Sequence, residues 1–405
     1  MNRYLTVLIS CLIVLFSSCA TESSETPQEV DKPSDYFSGV WVTSSASSVL
    51  DSKENIVKAV SVCKEYGINN IFMVVWNNGR TYYPSKVMKE LIGIEIVEKY
   101  QGRDPLKEMI EEAHANGIKV HAWFEYGFAA SYGQNGGLIL ARKPEWGAKD
   151  VNGKLLVKNG FVWMNALLPE VQDFMLSLIK EVADNYDIDG VQGDDRLPAM
   201  PSSGGYDEYV CQLYKQEHNG MEPPADGKNE AWMTWRADKL TDFLKKLYTE
   251  IKTIDSQIIV SSAPSVYPWG KNEYLQDWPS WLEKGYIDWV IPQHYRYDID
   301  TYQSTLVQQL SYVQPKDRKK FMPAILLQNG DYNPTEDYLK KMIEVNRRNQ
   351  VTNECFWFYE GLDKFRHYKI FCVNGNTGFR NESRIFYFIH LQNEEDYERK
   401  EASSA

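Results

Sequence analysis

Residues 186–196 read Tyr-Asp-Ile-Asp-Gly-Val-Gln-Gly-Asp-Asp-Arg and finish in two adjacent carboxylates, Asp194 and Asp195. Paired carboxyl groups can give and take a proton, or one can protonate a leaving oxygen while the other stabilises or attacks the carbon left behind. Ile188 and Val191, interleaved with Gly190 and Gly193, suit a short strand packed closely on both faces. The charges therefore arrive where the strand must stop, and two charges there are costly unless used or partnered. Alternation along a strand puts Gln192 and Asp194 on one face and Asp195 on the other. Asp194 is the first choice for the catalytic carboxylate, with Asp195 in support. The alternative is that both aspartates cap the next segment or pair with Arg196.

Further candidates sit where other apolar runs end. His121, Trp123 and Glu125 share one face of such a run, and Glu125 is either a catalytic carboxylate or an arginine's partner. The aromatic run Phe356, Trp357, Phe358, Tyr359 closes on Glu360, which ranks second after Asp194 because a core role for it is hard to find. Gln293 and Tyr295 can hydrogen-bond sugar hydroxyls, as can Gln192 and His121. Trp41, Trp76, Asn77, Trp123, Tyr126 and Trp357 can line a pocket by stacking and hydrogen bonding, although each ring alone also reads as packing.

No cofactor or metal is expected. The six histidines are scattered without a pair at ligand spacing on a helix, which disfavours a zinc hydrolase. With Cys11 and Cys19 set apart, Cys63, Cys211, Cys355 and Cys372 remain, and they read best as small buried hydrophobes.

What must position these groups is an alternation of short apolar runs with helical patterns, the signature of βα units. Strands are expected over 37–43, 70–76, 119–125, 188–193, 257–262, 288–293, 321–327 and 354–359. Between them lie helices such as the one capped by Asp51 and Glu54, and the one with Asp104 as N-cap and Pro105 in its first turn. Eight alternations predict an α/β fold, a (β/α)8 TIM barrel over 36–362, with long loops after strands 2, 3 and 4 that build a groove wall. Residues 363–405 form an atypical C-terminal tail, in which Lys369 to Leu391 is aromatic and β-like where an eighth barrel helix belongs.

The chain has 405 residues, 43% hydrophobic, and a formal net charge of −12, which disfavours nucleic acid and anionic lipid surfaces as partners. An apolar run after Arg3 reaches Phe-Ser-Ser-Cys at 16–19, so residues 1–18 are expected to be a lipoprotein signal peptide and Cys19 the lipidated first residue of the mature chain. A plain secretory signal is the alternative. Residues 19–35 are polar and Pro-containing and read as a flexible tether to a membrane of the bacterial envelope.

Several segments together resemble the bacterial glycosyl-hydrolase-like family ten lipoproteins. They are Gly39-Val40-Trp41-Val42, the segments around Asn152 and Asn165 before Pro169-Glu170-Val171, Asp187-Ile188-Asp189-Gly190 ending at Asp194-Asp195, and Pro292-Gln293 with Tyr295. The resemblance implies a (β/α)8 barrel acting on glycans, peptidoglycan strands foremost, with Asp194 and Asp195 as site residues. There is a fainter likeness to the chitinase strand motif Asp-Gly-x-Asp-x-Asp-x-Glu over 189–196, but Gln192 and Arg196 stand where that motif has Asp and Glu. Competing readings are a non-catalytic glycan-binding lipoprotein and a hydrolase of dietary or plant polysaccharide.

Overall fold

The computed structural model of the chain describes residues 36–365. Eight parallel strands form one sheet: β1 (Ser38–Val42), β2 (Asn70–Val74), β3 (Lys119–Phe124), β4 (Gly190–Gly193), β5 (Ile259–Ser262), β6 (Trp289–Val290), β7 (Ala324–Leu326) and β8 (Glu354–Trp357). Their order is 6-5-4-3-2-1-8-7. Two parallel bridges, Val290 to Phe321 and Gln293 to Ala324, close β6 onto β7 and complete the barrel. That seam is thin for a chemical reason. Pro292 and Pro323 bring no N–H to the ladder, so regular pairing is interrupted on both sides of it. All eight expected strands are present, each shorter than its apolar run, and β6 and β7 keep only Trp289–Val290 and Ala324–Leu326 of theirs.

The barrel interior is filled by large rings rather than left as a pore. Near the amino ends of the strands, Phe72 stacks on His121 at 4.6 Å, and Trp289 packs against His121 and Phe37. Above them Trp41 meets Trp123 and Trp357. Close strand approach depends on two glycines: a Cβ at Gly39 would lie 2.8 Å from the Cys355 sulfur, and one at Gly190 would lie 2.2 Å from His121 Nδ1. Cys63 and Cys355 are buried thiols and Cys211 is half-buried, none in a disulfide among the described residues.

Outside run helices α1 (Lys53–Glu65), α2 (Pro105–Ala115), α3 (Pro169–Asn185), α4 (Glu230–Ile254), α5 (Trp278–Glu283), α6 (Ile299–Ser311) and α7 (Glu336–Arg348). Asp104 caps α2, with Pro105 in the first turn where its missing N–H costs nothing. The cap of α1 is Ser52, not Asp51 or Glu54: the helix begins one residue later, and the Ser52 hydroxyl accepts from Asn55 N–H.

The long loops follow β2, β3 and β4. The β3 insertion carries a small antiparallel sheet, Ala129–Tyr132 with Phe161–Trp163 and Val157–Lys158. Its hairpin turns at Asn159-Gly160, whose φ angles of 52° and 81° are those a two-residue turn of this hand requires. The β4 insertion is held by the buried guanidinium of Arg236, which donates to the carbonyls of Ser202, Gly204 and Gly227, satisfying acceptors that a loop leaves open. Cys19, the 19–35 tether and nearly all of the 363–405 tail lie outside the described residues.

Candidate active site

At the carboxyl ends of the strands a cavity of about 280 Å³ is lined by Trp41, Trp123, Glu125, Asp194, Asp195, Arg196, Ala263, Gln293, Tyr295, Tyr297, Leu326, Asn329 and Trp357. Each strand-end carboxylate reaches it for a local reason. In β3, alternation carries His121, Trp123 and Glu125 inward in turn, as the sequence predicts. In β4 the ladder stops at Gly193, and the chain folds back so that Leu197 N–H donates to the Asp194 carbonyl. That turn brings Asp195 into the cavity beside Asp194. The expectation that Asp195 faces away is therefore corrected, because strand alternation no longer applies after Gly193.

The centre of the site is one guanidinium among carboxylates. Arg196 Nη2 lies 3.2 Å from Asp194 Oδ2, its Nη1 lies 2.8 Å from Asp195 Oδ1, and its Nε donates to the Glu125 carbonyl at 3.0 Å. Arg196 N–H also donates to Asp194 Oδ1. The contact to Asp195 is close but lacks hydrogen-bond alignment. Asn77 Nδ2 donates to Glu125 Oε2 at 2.6 Å, and the buried Gln276 holds the Asp194 carbonyl.

Burial pushes the Asp194 carboxyl well above its usual range; the Arg196 charge opposes this, while Asp195 and Glu125 reinforce it. Burial likewise raises Glu125, against Arg196 and Asn77. For Arg196, burial disfavours the charge, but Asp194, Asp195 and Glu125 outweigh it and hold the guanidinium above its ordinary value. Three carboxyl groups and one fixed cation would carry a net charge of −2 if fully ionised in a desolvated site. Retaining a proton on Asp194 or Glu125 relieves that cost. Burial thus favours the protonated form of Asp194 and of Glu125. Burial also raises the Tyr295 phenol well above normal, so it stays a neutral hydrogen-bonding group.

Eight of the sequence candidates meet at this cavity: Trp41, Trp123, Glu125, Asp194, Asp195, Gln293, Tyr295 and Trp357. Six do not line it. Glu360 sits half-buried in the short helix Tyr359–Leu362, because β8 ends at Trp357 and the helix packs onto β7, where a Cβ on Gly361 would meet Leu327 at 2.5 Å. Trp76 leaves β2 for a hairpin and packs on Phe174, its indole N–H donating to Gly127. His121 lies in the lower barrel, with Nε2 on Asn70 Oδ1. Gln192 is buried beneath the cavity, accepting from Trp41 Nε1 at 2.7 Å and donating to Ser261. Asn77 orients Glu125, and Tyr126 packs beneath the guanidinium of Arg196. The sequence reading missed Arg196 as a site residue, along with Tyr297 and Asn329, which hydrogen-bond to each other in the loops after β6 and β7. The Asp-Asp-Arg triplet was the available signal for Arg196; nothing local marked the other two.

No cluster of three or more His, Cys, Asp or Glu among the described residues has the arrangement of a metal site. A larger cavity of about 540 Å³ lies on the outer wall against α2 and the end of α3, lined by Lys107, Glu111, His114 and Glu181 among others. It is remote from the strand ends and holds none of the paired carboxylates, so the smaller, central cavity is the candidate active site.

The profile of the glycosyl hydrolase-like 10 family matches residues 37–333. The chain is 26% identical over 360 residues to glycosyl hydrolase DigH of Escherichia coli K12, covering 74% of this chain and 79% of that protein. It is 25% identical over 286 residues to glycosyl hydrolase YngK of Bacillus subtilis 168, covering 63% and 51%. Among solved structures, the PgaB (BpsB) glycoside hydrolase domain from Bordetella bronchiseptica superposes with a TM-score of 0.62 at 11% identity, covering 85% of this chain and all of that one. That likeness concerns the fold.

Proposed function

We propose that this chain, which belongs to the glycosyl hydrolase-like 10 family, is a glycosidase cleaving glycan strands of the peptidoglycan type by carboxylate acid/base catalysis. The observation that carries the reading is the gathering of Glu125, Asp194 and Asp195 around Arg196 where the barrel strands end. In hydrolysis the bond between the anomeric carbon and the bridging oxygen breaks; a protonated carboxyl gives its proton to that oxygen, and water supplies hydroxide to the carbon and returns a proton to the enzyme. Asp194, the carboxyl most strongly raised by burial, is the proton donor in this reading, and Glu125 is the second carboxylate.

A strand-like substrate is supported by the mouth. Tyr132, Tyr209, Trp269 and Tyr297 are exposed, and all four stand on segments that follow the carboxyl ends of β3, β4, β5 and β6. Such rings offer flat apolar faces with polar edges. Gln293, Tyr295 and Asn329 add uncharged hydrogen-bonding groups suited to hydroxyl and acetamido substituents. Peptidoglycan as the glycan follows the family resemblance, and attachment through lipidated Cys19 would keep the enzyme in the cell envelope.

The deciding experiment incubates the protein with intact sacculi, amidase-stripped glycan strands and plant polysaccharides, then analyses released sugars. Cleavage of stripped strands, lost in Asp194→Asn, is expected. Binding without release by the wild type would make the protein a glycan-binding module, and release from plant glycan alone would reassign the substrate. Lipidation is checked separately: Cys19→Ala should leave the precursor unprocessed, and a secreted, unacylated wild type would refute it.

A further inference from the structure

Arg196 stands between the carboxylates of the cavity and the hairpin of the β3 insertion. Its edges face Asp194 and Asp195 from the end of β4, and its Nε donates to the Glu125 carbonyl at the end of β3. Its face lies 4.7 Å from the ring centre of Phe161 and 5.5 Å from that of Tyr126. Phe161 belongs to the hairpin of the β3 insertion, and its ring packs edge-on against both Tyr126 and Tyr132, each at 5.3 Å. Tyr274, after β5, is a further titratable group near Arg196 and Asp195, and the Asn159 amide of the same hairpin donates to its hydroxyl. A planar guanidinium can use edge and face at once; the ammonium of a lysine supplies charge without that plane.

We propose that Arg196 is a positioning residue that ties the seating of the glycan to the catalytic carboxylates: its edge binds Asp194 and pairs its charge with Asp195, and its face carries Phe161, whose hairpin forms the wall on which the sugar chain rests. The proposal rests on the glycosidase reading above. Removing the charge takes away the cation that holds Asp194 and Glu125 down, so both keep their protons to higher pH; removing only the plane disturbs the wall and leaves the charges in place.

The test compares kcat, KM and pH profiles of Arg196→Gln, Arg196→Lys and Phe161→Leu on stripped glycan strands, with melting transitions confirming the fold. Arg196→Gln should move the basic limb of kcat/KM upward by about one pH unit or more and raise KM. Arg196→Lys should restore the limb but not KM, and Phe161→Leu should raise KM with the limb unmoved. An unmoved limb in Arg196→Gln, or a lysine variant that recovers KM together with the limb, overturns the proposal. If wild type turns over no glycan, the glycosidase reading fails by itself. Side-chain carboxyl titration by 13C NMR, without substrate, then decides the charge part: midpoints higher in Arg196→Gln than in wild type are expected, and unchanged midpoints refute it. If Arg196→Gln does not fold, Arg196→Lys and Phe161→Leu carry the same comparison, and equal KM in wild type and both variants refutes it.

Discussion

The lower and upper halves of the barrel interior are built from the same inward-facing strand positions, yet they solve the problem of buried polarity in opposite ways. Below, His121, Asn70, Gln192 and Ser261 are neutral and bonded in short chains: Asn69 accepts from the Asn70 amide, which turns Asn70 Oδ1 toward His121 Nε2, and Trp41, Gln192 and Ser261 form a second chain. Above, Glu125, Asp194, Asp195 and Arg196 bring formal charges into a desolvated space. Neutral pairs that satisfy each other stabilise a core at little cost, whereas buried charges are retained at a cost in stability. Polarity inside a barrel therefore points to a site only where it is charged and near the strand ends. His121 fits a packing role by that criterion and Glu125 a functional one.

The largest test of the contrast is Asp194→Asn. It keeps the shape but sets an amide nitrogen against one of the two Arg196 donors and cannot give the proton, so turnover should fall by about 10² to 10⁴. Glycan binding should persist, and the melting transition should show that the variant folds. Glu125→Gln should be severe in the same assay, whereas Glu360→Gln, whose residue does not line the cavity, should change turnover far less. Equal loss in both would return Glu360 to the site.

These residues also show what could be read in advance. The barrel was legible because apolar runs and helix caps are local, and alternation along β3 placed Trp123 and Glu125 correctly. Legibility ended one residue past the strands. Asp195, Glu360 and Trp76 lie two or three residues past a strand end, where the direction of a side chain is set by the turn and by what packs against it, not by a period of two. Tyr297 and Asn329 come together only because β6 and β7 are neighbours across the closing seam.

A smaller effect, on the opposite side of the contrast, is expected for Gly190→Ala. The added methyl would sit 2.2 Å from His121 Nδ1 and 2.9 Å from the Ile259 carbonyl. Overpacking of this kind typically costs about 1 to 3 kcal/mol. Denaturant unfolding should show that loss, while the pH profile of turnover on glycan strands keeps its shape. Unchanged stability would mean that His121 can move aside and that this contact does not limit the strand spacing.

The gentlest and most discriminating test is the pH dependence of stability, because the buried histidines and the carboxyls of the site should titrate in opposite senses. Burial lowers His121 to about 3 and His294 to about 4, from 6.5. His121 Nε2 faces Asn70 Oδ1, so Nδ1 is the bare nitrogen, buried beside Gly190 without a hydrogen-bond partner. For groups depressed in the folded state, the unfolded chain binds more protons below 6.5. Their contribution is complete above 6.5 and is lost as pH falls toward 4 and 3, with a slope of about 1.4 kcal/mol per pH unit for each histidine. Asp194 and Glu125 are raised instead. They favour the folded state at low pH, and that contribution is lost as pH rises through their folded values, so in wild type they offset part of the histidine slope. Asp194→Asn removes one offsetting group. Between pH 5 and 7 its unfolding free energy should therefore rise more steeply with pH than that of wild type, and parallel curves would show that Asp194 is ionised across this range and is not the proton donor.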